Sequence, residues 1–171
     1  LMKKSLITYS TVDGQTKDIC QKIAYFANNE NIDVLPINKI ENLNQYDFIV
    51  IGASIRYGKY RKELFNFIKS NIDSLESKEN AFFSVNAVAR KLEKNSPETN
   101  PYMRKFLEKI SWVPKNLEVF AGKIDYPKYK FFDKYAIKFI MWVTNGPTDT
   151  SGTFEFTDWK KVENFAKSLN L

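Results

Sequence analysis

Lys4-Ser5-Leu6-Ile7-Thr8-Tyr9 runs straight into Ser10-Thr11-Val12-Asp13-Gly14-Gln15-Thr16, and the reading of these two stretches decides the fold. The first is a short apolar strand. The second is a loop of small hydroxyl residues with one glycine. Gln15–Asn29 then carries Ile19, Ile23 and Phe26 on one helical face. In a strand–loop–helix unit of this kind, backbone amides converge on one point and the helix N-terminus adds about half a unit of positive charge. The loop has no Walker lysine, and one glycine where the dinucleotide fingerprint needs three. A single phosphate monoester therefore fits better than a nucleoside triphosphate or NAD. A helix cap closed by a turn glycine accounts for the same residues, and the loop alone does not choose between them.

Working outward, the alternation continues. Ile32–Ile37 is a second strand, and Phe48–Gly52 is continuously apolar, as a parallel strand covered on both faces should be. Arg61–Ile72 has Leu64, Phe65 and Ile68 at helical spacing. Ala81–Val85 is a fourth strand, Tyr102–Trp112 a helix, Leu117–Ala121 a fifth strand, and Trp159–Leu169 a closing helix after the capping candidates Thr157 and Asp158. Strand and helix in turn predict one α/β domain over residues 1–171, with a doubly wound five-stranded parallel sheet. Between the fifth strand and the last helix lies a long insertion, 123–152. Thr153–Thr157 alternates like a strand and is expected to resume the interrupted fifth strand.

Composition narrows the chemistry. With 171 residues, 43% of them hydrophobic, the chain can bury a core without staples. It contains no histidine and one cysteine, Cys20. Ser-His-Asp and Cys-His systems, an internal disulfide, a cysteine-rich zinc site and a protein-held iron–sulfur cluster are thus excluded, and no metal site is expected. Demanding chemistry would come from an organic cofactor. Cys20, beside Ile19 and Ile23, reads as an inert helix position. The net charge of +6 favours an anionic partner. No stretch near the start has the layout of a signal peptide, and Leu1 ahead of Met2 reads as a cloning remnant.

In a sheet of order 2-1-3-4-5, ligands sit beyond the carboxyl ends of the strands, next to the switch point between strands 1 and 3. The third strand ends in Ser54-Ile55-Arg56-Tyr57-Gly58, the fourth in Val85-Asn86-Ala87-Val88-Ala89-Arg90. With Ser10–Thr16, these loops converge on one point and suit a flat ring carrying one phosphate, with Tyr57 placed to stack on the ring. These blocks, with Ile51–Gly58, Ser84–Asn86, Val88–Lys91, Arg104–Leu107 and Thr157–Trp159, resemble the flavodoxin superfamily. More narrowly, the chain is similar to the quinone-dependent protoporphyrinogen oxidases over nearly its whole length. Lys59 stands where relatives can carry histidine, and Asn145-Gly146-Pro147 replaces a more glycine-rich stretch.

The resemblance implies a flavodoxin-like fold, FMN as cofactor, protoporphyrinogen IX as substrate and a membrane quinone as acceptor in haem biosynthesis. It places the protein peripherally on the cytoplasmic side of the bacterial inner membrane, with no nucleic-acid partner; a homo-oligomer stays open. A basic rim of Arg56, Lys59, Arg61 or Arg90 would meet the substrate propionates. Two other readings of the same fold are an electron-carrier flavodoxin and a flavodoxin-like NAD(P)H:quinone reductase. The excess of lysine argues against the first, and the missing dinucleotide fingerprint against the second.

Within the insertion, Asp133–Thr144 reads as a helix. Lys130, Lys134 and Lys138 form a polar stripe four residues apart, with Phe132, Phe139 and Trp142 elsewhere around it. Seven of the 26 aromatic residues lie between Tyr126 and Trp142. A short helix of this composition suits an anionic membrane surface or the quinone; packing on the domain's own core or in a dimer interface is the plainer alternative.

Overall fold

The computed structural model describes residues 2–171; Leu1, read above as a cloning remnant, lies outside them. Five strands form one parallel sheet: β1 (Ser5–Ser10), β2 (Ile32–Pro36), β3 (Phe48–Ser54), β4 (Glu79–Asn86) and β5 (Leu117–Ala121), in the order β2-β1-β3-β4-β5. The helices are α1 (Gln15–Ala27), α2 (Lys62–Ser70), α3 (Ile72–Ser77), α4 (Pro101–Lys109), α5 (Phe131–Val143) and α6 (Trp159–Leu169).

Strand alternation sorts the core into two layers. Leu6, Ile49, Ile51 and Phe82 face α2, α3 and α4, where Leu64, Ile68, Leu75, Met103 and Phe106 meet them. Ile7, Val50, Phe83 and Val85 face α1 and α6, against Ile19, Cys20, Ile23, Val162 and Phe165. The layers differ by one residue of register at Phe82-Phe83. Gly52 is required there: a Cβ at this position would sit 2.2 Å from the Phe83 ring.

The helix expected over Arg61–Ile72 breaks at Asn71, whose side chain donates back to the Phe67 carbonyl, and α3 restarts at Ile72. α4 starts earlier than its apolar pattern suggests, because Asn100 accepts from the Tyr102 and Met103 amides with Pro101 behind it. Asp158 caps α6 as expected, whereas Thr157 donates instead to the Ala121 carbonyl.

One expectation is corrected. Thr153–Thr157 does not resume the fifth strand. Only Thr153–Glu155 is extended (β7), and it pairs antiparallel with β6 (Lys123–Asp125) in a separate two-stranded sheet, Lys123 opposite Glu155. The chain runs from β5 through Gly122 into β6, so the outgoing strand provides the edge on which the returning one pairs. Beyond that ribbon, α5 lays Ile137 and Met141 against Ile124 and Tyr126, a small cluster apart from the two main layers. Among the described residues no helix is long and apolar enough to cross a membrane.

Candidate functional site

The carboxyl ends of β1, β3, β4 and β5 open into one cavity of about 430 Å³, roofed by α5. Its size and apolar walls with a few polar groups are those of a small-molecule site. The first loop contributes Thr11, Asp13, Gln15 and Thr16, the β3 loop all of Ser54–Gly58, and the β4 loop Val85–Val88. Ser10, Val12, Gly14, Ala89 and Arg90 stand outside the lining.

Gly14 adopts φ 92°, a left-handed conformation glycine takes without strain, and caps α1 with no side chain on the first amides. Its own amide is taken by the Thr11 hydroxyl at 3.1 Å. The helix N-terminus therefore points uncapped amides into the cavity, and beside them the fully buried Thr16 hydroxyl has no partner. The Ser5 and Thr8 hydroxyls and the Trp112 indole are buried without partners too, but of the four only Thr16 lines the cavity. A phosphate at this place would satisfy both the amides and that hydroxyl. The residues fit such a group.

The hydroxyl of Ser10, by contrast, is committed to Glu63 (2.8 Å), and Arg61 holds that carboxylate and the Thr11 carbonyl. Asp13, which alone would repel an anion, is neutralised: the Arg56 guanidinium reaches its two oxygens at 2.5 and 2.6 Å. The same guanidinium pairs with Asp133 of α5 at 3.5 Å and lies over the Tyr129 ring.

Tyr57 and Gly58 are both left-handed, at φ 52° and 73°, and Arg56 and Lys59 exchange both backbone hydrogen bonds across them. This two-residue turn is of type I′, the geometry that matches strand twist. It holds Tyr57 at the rim, where its hydroxyl donates to Asp133. Burial first, then this carboxylate, raises the phenol above its ordinary value, so it stays a donor at neutral pH.

Asn86 lines the cavity but spends its amide inside the fold, bonding Ser84, Asn100 and the Ala89 amide. Arg90 is turned away from the rim. It donates to the Ala87 carbonyl and to the Thr144 carbonyl and hydroxyl at the end of α5, and burial lowers its pKa. Of the four residues expected to form the basic rim, Arg56, Arg61 and Arg90 thus have internal partners, and only the Lys59 side chain has none among the described residues. The Asn145-Gly146-Pro147 stretch is structural: the Gly146 amide closes α5 on the Met141 carbonyl, and Pro147 accepts from Tyr126.

Sequence reasoning missed the roof and the far wall. Gly122, Lys123 and Ile124 follow the fifth strand end, where the carboxyl-end rule points. Ile137, Ile140, Met141 and Tyr102 reach the cavity only through tertiary packing. On α5 the lysine stripe flanks the roof, with Lys130 exposed and Lys134 and Lys138 half-buried. Phe132, Phe139 and Trp142 face outward, Phe132 at 86% exposure. Cys20 is buried and its thiol is pushed up by burial, which makes it inert as a nucleophile.

Comparison with known proteins agrees with the fold. Residues 6–151 match the family described as the flavodoxin domain. A protein of Escherichia coli strain K12 named protoporphyrinogen IX dehydrogenase (quinone) is 44% identical over 170 residues, covering 97% of this chain and 94% of that protein. A protein of the same name from Leishmania major is 45% identical over 171 residues, covering 97% and 74%. Among solved structures, a flavodoxin from the domain Archaea superposes with a TM-score of 0.53 at 14% identity, over 98% and 96% of the two chains.

Proposed function

The chain belongs to the flavodoxin-domain family, in its protoporphyrinogen IX dehydrogenase (quinone) branch, and from that premise we propose that it oxidises protoporphyrinogen IX with FMN and passes the electrons to a membrane quinone. The observation that carries the cofactor reading is the unpartnered Thr16 hydroxyl beside the uncapped start of α1, inside a cavity at the switch point of the sheet. When bound, FMN supplies the two-electron redox chemistry of the reaction.

The residues of the chain bind, orient and exclude. The first amides of α1 and the Thr16 hydroxyl would hold the phosphate, and the Arg56–Asp13 pair removes the charge that would oppose it. Tyr57 and Ile55 line the cavity where the ring would be held. Ile137, Ile140 and Met141 keep water from the face beneath α5. Outside, the aromatic face of α5 with Lys130, Lys134 and Lys138 beside it supports a peripheral contact with an anionic membrane, where the quinone resides.

Anaerobic titration tests the reaction. Protoporphyrinogen IX bleaches the flavin and added quinone restores it, whereas NADPH does neither. Reduction by NADPH with none by protoporphyrinogen would move the protein to the quinone reductases. Thr16→Val removes one bond to a charged group, about 1.5–3 kcal/mol or roughly ten- to a hundredfold in FMN affinity. Undiminished flavin retention after dialysis would refute the phosphate site.

A further inference from the structure

Beside the cavity lies a second groove of about 380 Å³, between the β3 turn, the start of α2 and the outer side of α4. Its floor is aromatic. Tyr60, Phe65 and Phe106 pack with ring centroids 5.1–6.5 Å apart, and Tyr102 continues the surface. The Tyr60 hydroxyl is turned inward onto Ser84 at 2.6 Å, so the tyrosine presents its ring and not its polar end.

The rim is lysine throughout. Lys59 sits on the turn, Lys62 at the first residue of α2, and Lys105 and Lys109 one helical turn apart on α4. All four are exposed, and none forms an ion pair among the described residues. The arginines around the cavity, Arg56, Arg61 and Arg90, are spent on internal partners; these four lysines are not. Gly58 and Tyr102 line both the groove and the cavity, so the two spaces meet at a glycine. A Cβ there would stand 3.7 Å from the Tyr102 ring.

An apolar floor within a rim of unpaired ammonium groups is complementary to an apolar body with anions on its edge. We propose that this groove is the porphyrinogen site, with the macrocycle over Tyr102 and Phe65, the propionates on Lys59, Lys62, Lys105 and Lys109, and the Gly58–Tyr102 opening directed at the cavity. This rests on the reading of the preceding subsection and specifies its substrate subsite. A quinone has no anion to match the rim, so the groove favours the dianionic reactant of the pair.

The probe is the reaction product, protoporphyrin IX, bound to FMN-loaded protein in mild detergent, beside its dimethyl ester, which keeps the ring and loses both charges. The parent binds the acid more tightly than the ester. K105E/K109E weakens the acid by about tenfold or more and leaves the ester unchanged, and K105Q/K109Q falls between them. High salt weakens the acid and spares the ester. For protoporphyrinogen, KM rises by more than kcat falls. Because both variants alter exposed helix positions, unchanged thermal melting and flavin content separate loss of binding from loss of fold. Equal binding of acid and ester by the parent, or undiminished acid binding by K105E/K109E, would overturn the assignment. So would loss of anionic-vesicle binding in that variant with porphyrin binding intact, which would make the rim a lipid contact. Failure of the parent to oxidise protoporphyrinogen would count against the enzyme reading itself, whereas failure of the groove leaves that turnover in place.

Discussion

The cavity has two unlike sides. Its floor is the end of a sheet in which β1 is buried at every residue and β3 and β4 at all but one. Its roof is α5, which buries Ile137 and Met141 and leaves Phe131, Phe132, Tyr135, Phe139, Ile140, Trp142 and Val143 exposed. The floor shares the cooperativity of the whole core. The roof rests on a cluster of four buried residues and on the Asp133 contacts with Arg56 and Tyr57. Segments with few buried contacts open at lower free energy than the core. One side is therefore fixed by the fold, and the other is poised to move or to meet something.

The largest effect should come from the floor. Phe82 is fully buried and stacks on Phe106 at 4.2 Å, so Phe82→Ala should cost about 3–5 kcal/mol in global stability, read from urea midpoints. A loss under about 1 kcal/mol would mean that the floor is as soft as the roof. Next, changing Lys130, Lys134 and Lys138 together to glutamate should remove at least about 1 kcal/mol per lysine from binding to anionic liposomes, with urea midpoint and flavin content preserved. Co-sedimentation like the parent's would end the membrane reading, and loss of flavin would make the roof part of the core. The smallest change is Asp133→Asn. The pair it breaks is partly exposed, worth less than about 1 kcal/mol. Hydrogen exchange should quicken across α5 and stay unchanged in β1, β3 and β4. Equal acceleration in both would erase the distinction.

The floor was legible in the sequence because it is local. Phe48–Gly52 reads as a doubly covered strand from its own residues, and the Ser10–Thr16 loop marks the start of a helix, though not whether that start is capped. The roof was not. Nothing near Asp13 says that its partner is Arg56, and nothing near Met141 says that it closes a cavity whose other walls lie up to about 130 residues away. The helix itself was visible in Asp133–Thr144, but its inward face was set by Ile124 and Tyr126, which the periodicity of α5 does not encode. The misassigned Thr153–Thr157 has the same cause: alternation predicts extended backbone and is silent about which edge it joins.

The ribbon of β6 and β7 brings the two ends of the insertion together, Lys123 opposite Glu155 and Asp125 opposite Thr153. A chain that leaves and returns through one neck has its loop closed at that neck, whatever lies beyond. Doubling the length beyond it would change the closure entropy by only about 0.6 kcal/mol. One residue added within β3 would instead flip every following side chain to the opposite layer. As far as chain closure is concerned, a change of length is thus tolerated at one address and forbidden a few ångströms away, where the sheet is held constant.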